Sequence, residues 1–206
     1  RIRGAHSGTG LWRRGLDRER KNTIFSELTI SQSDVKLTLS YAMEAGMPTP
    51  DMLPFILSIA LNLTISGLLF REFFWHRLTS MELAEAARPI LWLHAFRFFG
   101  LTFISHGAVH PDLPYDWAWD AAIGDVISAV FAWIALSLRR GSVFLVMVWI
   151  FNIWGLLDIL NAFIHGVPLK VQALLGAAYF IPTVYVPPLI ITHIALFLLL
   201  LRKRRS

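Results

Sequence analysis

The sequence predicts an all-α integral membrane protein, a bundle of about five transmembrane helices, and three observations lead to that class. Of the 206 residues, 55% are hydrophobic and 16% are charged, whereas a soluble domain carries about 25% charged residues. The apolar residues gather in runs near the roughly 20 residues that a spanning helix needs. The chain has no cysteine, which excludes disulfides, thiolate catalysis, zinc-finger sites and Fe–S ligation.

The first three apolar runs are bounded by residues that commonly end a span. The first run closes at Arg71, a charge that stays at the membrane edge. The second opens with Pro89, whose missing N–H costs nothing in a first helical turn. The third opens with Trp117, an interfacial aromatic residue, and stops at Arg139. The predicted spans are 52–70, 89–109 and 117–138.

The last part of the chain contains two more spans and one shorter apolar run. The fourth span ends at Gly166, a typical helix terminator, and the fifth ends before the basic tail that begins at Arg202. Residues 171–182 number only about 12, too few to cross a core of ~30 Å, and Pro182 and Pro187 interrupt helical continuity. We expect a short interfacial or re-entrant segment there that leads into the fifth span. The remaining predicted spans are 143–165 and 184–201.

Lys and Arg are distributed unevenly between the predicted loops. Segments 71–88, 139–142 and 202–205 together hold nine, whereas 110–116 holds none and 166–176 holds one. With five spans, the three basic segments lie on one side, which the positive-inside rule makes cytoplasmic. We therefore expect a cytoplasmic C-terminus and a native N-terminus outside.

Residues 1–46 form a basic segment that we expect to be poorly structured, ahead of a single transmembrane domain over 47–206. The first 36 residues hold eight of the 19 Lys and Arg residues, which conflicts with an outside position. Two explanations stay open: Arg1–Ala42 is a non-native remnant or an over-extended reading frame, or it is a genuine flexible tail that is translocated. The net charge of +5 does not predict nucleic-acid binding, because no nucleic-acid-binding motif accompanies it.

Ionisable side chains interrupt the predicted spans, and each costs at least about 2.5 kcal/mol at mid-membrane, so they should face protein or water. The α-helical period places His94 and Arg97 on one face with Leu101 and Ser105. In the fourth span the same period groups Trp154, Asp158, Asn161 and His165. In the third span, one side around Asp125 is made of small residues that let a neighbouring helix approach closely: Ala118, Ala121, Ala122, Ser128, Ala129 and Ala132.

Depth along the helices predicts one buried cluster. At 1.5 Å per residue, Arg97 lies about 12 Å from the cytoplasmic end of its span, and Asp125 and Asp158 lie about 20 Å from theirs. An arginine stem covers part of that difference, so Arg97 should lie beneath both carboxylates. One Arg and two Asp leave a charge of −1, so one Asp holds a proton or a nearby His is charged. The candidate binding or proton-linked residues are Arg97, Asp125, Asp158, His94, His193 and Asn161.

Two interpretations of this cluster stay open. As a functional site, it is a protonatable group, a proton relay or a pocket for a polar head group. As a structural feature, it is a set of ion pairs and hydrogen bonds that fixes how the helices pack.

The histidines suggest metal or haem sites only weakly. His106 and His110 have the i, i+4 spacing of metal ligands, but no glutamate follows the first histidine and Pro111 ends the helix. We expect two interfacial histidines there. His94 and His193 lie at similar depth, but the phenylalanines next to His94 leave no room for a haem. We therefore predict no metal site and no cofactor.

Several stretches resemble a group of small bacterial multi-pass inner-membrane proteins to which no activity is assigned. The matching stretches are Arg97–Gly100, Trp117–Asp125, Asn152–Asp158 with Asn161 and Ala162, and Ile181–His193. The resemblance implies a bacterial inner-membrane location and supplies no function.

Three kinds of function fit these observations. The first is a small transporter, or an intramembrane binding protein, that uses the Arg97, Asp125 and Asp158 cluster. The second is an accessory or structural subunit of a larger membrane complex, or a homo-oligomer. The third and weakest is a membrane enzyme acting on lipid or quinone, because no set of nucleophile, base or metal ligands is complete. The lipid bilayer is the expected partner.

Overall fold

The structure, a computed structural model, describes residues 52–138 and 140–203, and that part of the chain is helical with no β-strand. The predictions for residues 1–46, including those for Arg1–Ala42, lie outside the described residues.

Six α-helices are present among the described residues, and short segments of other helix types connect or extend them. The α-helices are α1 (Met52–Leu69), α2 (His76–Ser80), α3 (Leu83–Ala95), α4 (Tyr115–Ser137), α5 (Ser142–Gly166) and α6 (Val186–Lys203). A π-helical turn, Phe70–Trp75, joins α1 to α2, and another, Ile181–Tyr185, leads into α6. The 3₁₀ helices are Phe96–Ile104, which extends α3, and the short turns Val171–Ala173 and Gly176–Tyr179.

Four helical stretches in the described part of the chain are long and apolar enough to cross a membrane. They are Met52–Ser80, Tyr115–Ser137, Ser142–Gly166 and Gly176–Arg202, and each covers one predicted span. The predicted second span, 89–109, differs. Its helix begins earlier, at Leu83, so Pro89 lies inside α3 rather than at its start.

The second half of that predicted span is a 3₁₀ helix, which changes the buried face. Its three residues per turn bring His94, Arg97 and Gly100 to one buried side, together with Phe103. The expected α-helical face is wrong beyond Arg97, because Leu101 and Ser105 are exposed. The chain leaves the helix at Ile104, five residues before the predicted end.

The buried face of α4 is made of small residues, whereas that of α5 is mostly large and apolar. The expected small-residue side of α4 is confirmed: Ala118, Ala121, Ala122, Ser128, Ala129 and Ala132 are all buried. On α5 the buried face is instead Phe144, Val148, Phe151, Asn152, Gly155 and Ile159. The expected face is wrong for Trp154, Asn161 and His165, which are exposed, while Asp158 lies at its edge. The helix is rotated so that the small Gly155 meets its neighbours.

The prolines near α6 do not interrupt it, contrary to expectation. The chain is helical from Gly176 to Arg202, because a π-helical turn accommodates the prolines: Val186 N–H donates to Ile181 O. The N–H groups that could reach Thr183 O from one turn ahead would belong to residues 187 and 188, both prolines. Asn62 on α1 supplies the missing donor, with Nδ2 at 2.9 Å from Thr183 O. The part of this segment from Gly176 onward is therefore continuous with the last long helix.

Two apolar clusters fill the bundle. One includes Ile90 and Leu91 on α3, Ala132 on α4 and Phe151 on α5. The other includes Phe103, Ala118, Ala122 and Leu175. Along both α4 and α5, an aspartate lies between the residues that belong to one cluster and those that belong to the other. The polar residues thus lie between the two apolar clusters.

Candidate functional site

Arg97 is the centre of a buried polar cluster that joins four helical segments. Its side chain is 1% exposed. Nε donates to Asp125 Oδ1 at 2.7 Å, and Nη2 donates to Asp158 Oδ2 at 2.6 Å. Nη1 donates to the backbone oxygen of Gly155 at 2.9 Å and lies 3.5 Å from His193 Nε2. Arg97 lies on the 3₁₀ helix, and α4, α5 and α6 each supply a partner.

The guanidinium group is fully engaged by these partners. It has five N–H donors in a fixed plane, and Nη2 also lies 2.7 Å from Asp125 Oδ1. The N–H groups along the edges of that plane face acceptors from Asp125, Asp158, Gly155 and His193. Arg97 is therefore held as a structural cation and presents no spare donor to a further group.

The two carboxylates are less enclosed than the arginine between them. The Asp125 and Asp158 side chains are 13% and 11% exposed, against 1% for Arg97. Each engages Arg97 through one oxygen, and Asp125 Oδ2 and Asp158 Oδ1 make no hydrogen bond to any described residue. Two carboxylates and one guanidinium carry a formal charge of −1. The excess negative charge thus belongs to the two partly exposed carboxylates.

His193 is fixed by a pair of hydrogen bonds to Asn152. Asn152 Nδ2 donates to the His193 backbone oxygen at 3.2 Å, so its Oδ1 is the atom that accepts from His193 Nδ1 at 2.8 Å. The proton of a neutral His193 is then on Nδ1, and Nε2 turns its lone pair toward Arg97.

His94 is held in the opposite tautomer. Its Nε2 lies 2.9 Å from Thr192 Oγ1, and that hydroxyl already donates to the carbonyl of Pro188 or Leu189. His94 Nε2 therefore donates to Thr192. The ring contacts His193, with centroids 4.2 Å apart, and Nδ1 is buried without a hydrogen-bond partner among the described residues.

Three glycines make room for the charged side chains. A Cβ on Gly100 would overlap Asp125, and a Cβ on Gly124 would overlap Asp158 Oδ1. A Cβ on Gly155 would lie 2.7 Å from His193 Cε1 and 2.9 Å from Arg97 Nη1. Each helix that carries a charged residue of the cluster thus also carries the glycine against which the side chain of another helix rests.

A cavity of about 50 Å³ reaches the accessible side of the cluster. That is enough for a few water molecules or one slim group, since a single water needs about 10–15 Å³. Asp125, Asp158 and Arg97 form its polar end. Its other walls are mainly apolar and include Phe55, Phe103, Trp117, Phe163, Val171 and Leu175. The cavity has the form of an apolar slot with an acidic end.

The structure brings five of the six predicted candidate residues together and separates the sixth. Arg97, Asp125, Asp158, His94 and His193 form one connected group. Asn161 is exposed on α5, because the helix is rotated as described above. Asn152 occupies the position in the cluster that was expected for Asn161. The sequence does contain a spacing that indicates this buried face, because Asn152, Gly155 and Ile159 follow i, i+3, i+7.

The other predicted histidines lie away from this cluster. His106 and His110 are on the exposed loop after the 3₁₀ helix, not on one helical face. His110 Nδ1 accepts from the backbone N–H of Asp112 at 3.2 Å. Within residues 52–138 and 140–203, no three His, Asp or Glu side chains are grouped as metal ligands. The Nε2 atoms of His94 and His193 point to Thr192 and Arg97, so this pair does not form a bis-histidine haem site.

Sequence comparisons assign the chain to a family. Neither the curated proteins nor the solved structures include a match to this chain. A family model described as a domain of unknown function, DUF8737, matches residues 54–201. This match takes in every residue of the polar cluster and more than half of the chain. The protein therefore belongs to the DUF8737 family.

Proposed function

We propose that this protein is a multi-pass membrane protein that binds the polar end of a small amphiphile inside its helical bundle, as an intramembrane binding protein or small transporter. One observation carries the proposal: the cavity reaches both carboxylates of a charge cluster whose arginine has its N–H donors taken up by other groups. A purely structural ion pair gains nothing from an adjoining apolar slot. Apolar walls with a few converging polar groups are the usual form of a ligand site.

The surface of the bundle supports placement in a membrane. In the most apolar window of Met52–Ser80, only 6% of the residues are buried in the structure, and large apolar side chains such as Leu57, Leu61 and Leu68 are exposed. Water would make so large an apolar face costly. Lipid removes that cost. The resemblance to bacterial inner-membrane proteins favours the same location.

The helix lengths support a fifth crossing. The 13 residues of α3 and the nine of the 3₁₀ helix span about 38 Å at 1.5 and 2.0 Å per residue, against a bilayer core of ~30 Å. With that crossing, the C-terminus is cytoplasmic and the loop after Ile104 lies outside, as the distribution of Lys and Arg predicts.

Calorimetric titration of the protein in lipid nanodiscs tests the binding function, with empty nanodiscs subtracted. The probes are butylamine, 1-butanol and pentanoate, which share a slim butyl body and differ in the polar end. We expect at least one to bind the parent protein. Ala121→Leu should abolish that binding, because Ala121 lines the cavity. Ala60→Leu is the matched control, since Ala60 is exposed on α1. No binding by any probe, or equal binding by Ala121→Leu, would reject the proposal.

A structural subunit is the second candidate, and the saturated guanidinium favours it. Arg97 contacts acceptors from three helices, α4, α5 and α6, as expected of a group that fixes helix packing. In that case all three probes fail to bind, while Arg97→Ala still destabilises the bundle.

A further inference from the structure

We infer that the amphiphile is a monocation, with a protonated amine that binds Asp125 and Asp158 and an apolar body that fills the slot. This inference rests on the proposed binding function and specifies its substrate class. Three features of the cavity lead to it: the charge of its polar end, the hydrogen-bonding capacity left there, and the nature of its walls.

The charge of the polar end favours a single positive charge. Arg97, Asp125 and Asp158 are the charged residues among the described cavity walls. With both carboxylates ionised their charges sum to −1, and in a region of low dielectric an uncompensated charge is costly. A ligand of charge +1 neutralises the site, whereas an anion would raise the excess to −2.

The hydrogen-bonding capacity left at the polar end is that of an acceptor. The donors of Arg97 are already used by Asp125, Asp158, Gly155 and His193. The second oxygens of the two carboxylates have no donor within the described bundle. A ligand must therefore donate to this site, and an ammonium group provides three N–H donors. A carboxylate or phosphate placed against Asp125 and Asp158 would meet acceptors there and no free donor of Arg97.

The walls are consistent with a cation that carries an apolar body. Phe55, Phe103, Trp117 and Phe163 line the slot, and aromatic faces attract cations as well as apolar groups. Trp117 is fixed in place, because its Nε1 donates to Ala162 O at 3.0 Å.

Gln172 is an independent sign that the slot accommodates a ligand. This side chain is 6% exposed and lines the cavity at the segment that follows α5. It makes no hydrogen bond to another described residue. A buried amide normally has partners, so a partner is expected in the cavity it lines. The amide is neutral and leaves the charge argument unchanged.

The three matched probes test the charge of the ligand in nanodiscs of zwitterionic lipid. We expect butylamine to bind at least about tenfold more tightly than 1-butanol, which lacks the charge, and pentanoate to bind least. Asp158→Asn should reduce the preference for the amine by about tenfold, and Asp125→Asn should act in the same direction. Asp120→Asn should leave it unchanged, since Asp120 is exposed on α4 and lies off the cavity.

The outcomes separate this inference from the function on which it rests. If no probe binds, the binding function itself is rejected. If 1-butanol or pentanoate binds as tightly as butylamine, and Ala121→Leu removes that binding, the binding function stands and the cationic ligand is rejected. If either Asp→Asn variant does not fold, the probe ranking on the parent protein still decides the question.

Discussion

The side chain of Asn62 bonds the carbonyl oxygen that Pro187 leaves without a backbone donor. Asn62 Nδ2 lies 2.9 Å from Thr183 O and 2.9 Å from Val184 O. A residue of the first long helix thus completes the hydrogen bonding of the last one. The contact sets both the rotation and the height of α1 against α6.

Asn62→Leu should lower the free energy of unfolding by about 1–3 kcal/mol, because it leaves carbonyl groups without donors. Thermal unfolding in nanodiscs measures the change. Thr64→Val is the control, since its hydroxyl bonds within α1 and is exposed. In a background with Pro187→Ala and Pro188→Ala, which restore the backbone N–H groups, Asn62→Leu should cost less. An equal cost in both backgrounds would show that the amide does not act on these carbonyls.

Gly124→Ala should destabilise the bundle by about 1–3 kcal/mol, because the new methyl group overlaps a carboxylate that is tied to Arg97. Gly67→Ala is the matched control. Its Cβ would lie 3.5 Å from Ile191 Cδ1, an ordinary contact, so the helix-forming preference of Ala should make it neutral or stabilising by up to about 1 kcal/mol. Equal melting temperatures for the two variants would contradict the close contact between Gly124 and the Asp158 carboxylate.

Arg97→Ala should lower stability by about 3–5 kcal/mol, because it leaves two carboxylates without their cation. Adding Asp125→Asn and Asp158→Asn should recover part of the loss, since the unpaired charges are then gone. Arg140→Ala, which breaks ion pairs of a side chain that is 64% exposed, should change stability by less than about 1 kcal/mol. If Arg97→Ala had the same free energy of unfolding as the parent protein, the cluster would not be a source of stability.

His94 and His193 should show opposite neutral tautomers in nitrogen NMR spectra of the imidazole rings. His193 should carry its proton on Nδ1, which bonds Asn152, and His94 on Nε2, which bonds Thr192. Asn152→Leu removes the acceptor and should release His193 from its tautomer while leaving His94 unchanged. Identical tautomers in the parent protein would contradict the assigned hydrogen bonds.

Single cysteines at Ser80 and Asp112 should be labelled from opposite sides of the membrane, since the segment between them is the proposed second crossing. The chain contains no other cysteine, so the label reacts only with the introduced residue. A cysteine at Ser142 should react from the same side as Ser80. Labelling of Ser80 and Asp112 from one side would reject the crossing of Leu83–Ile104 and reduce the count to four.

The sequence was sufficient for properties that depend on length and average polarity. Long apolar runs located the four long helices, because the mean hydropathy of a run depends only on its own residues. The rise per residue placed Arg97 within reach of Asp125 and Asp158, and the structure joins these side chains. Both arguments need only distance along one helix.

Properties that depend on rotation about a helix axis were harder to predict. The segment Phe96–Ile104 carries no marker that separates a 3₁₀ from an α-helical period, so Leu101 was expected where Gly100 is found. On α5 a small rotation exchanges the exposed Asn161 for the buried Asn152. Contacts with other helices set these rotations, and those contacts cannot be read directly from a single sequence.

The 3₁₀ helix also makes the acidic end of the cavity dependent on helix type. Three residues per turn carry Gly100 through a full circle from Arg97, whereas an α-helix would leave it about 60° short. Conversion of Phe96–Ile104 to an α-helix would therefore rotate the glycine away from Asp125 and shorten the segment by about 4.5 Å. The carboxylate would lose the surface against which it rests while the covalent chain stayed the same. The winding of nine residues thus sets the shape of a site formed by other helices.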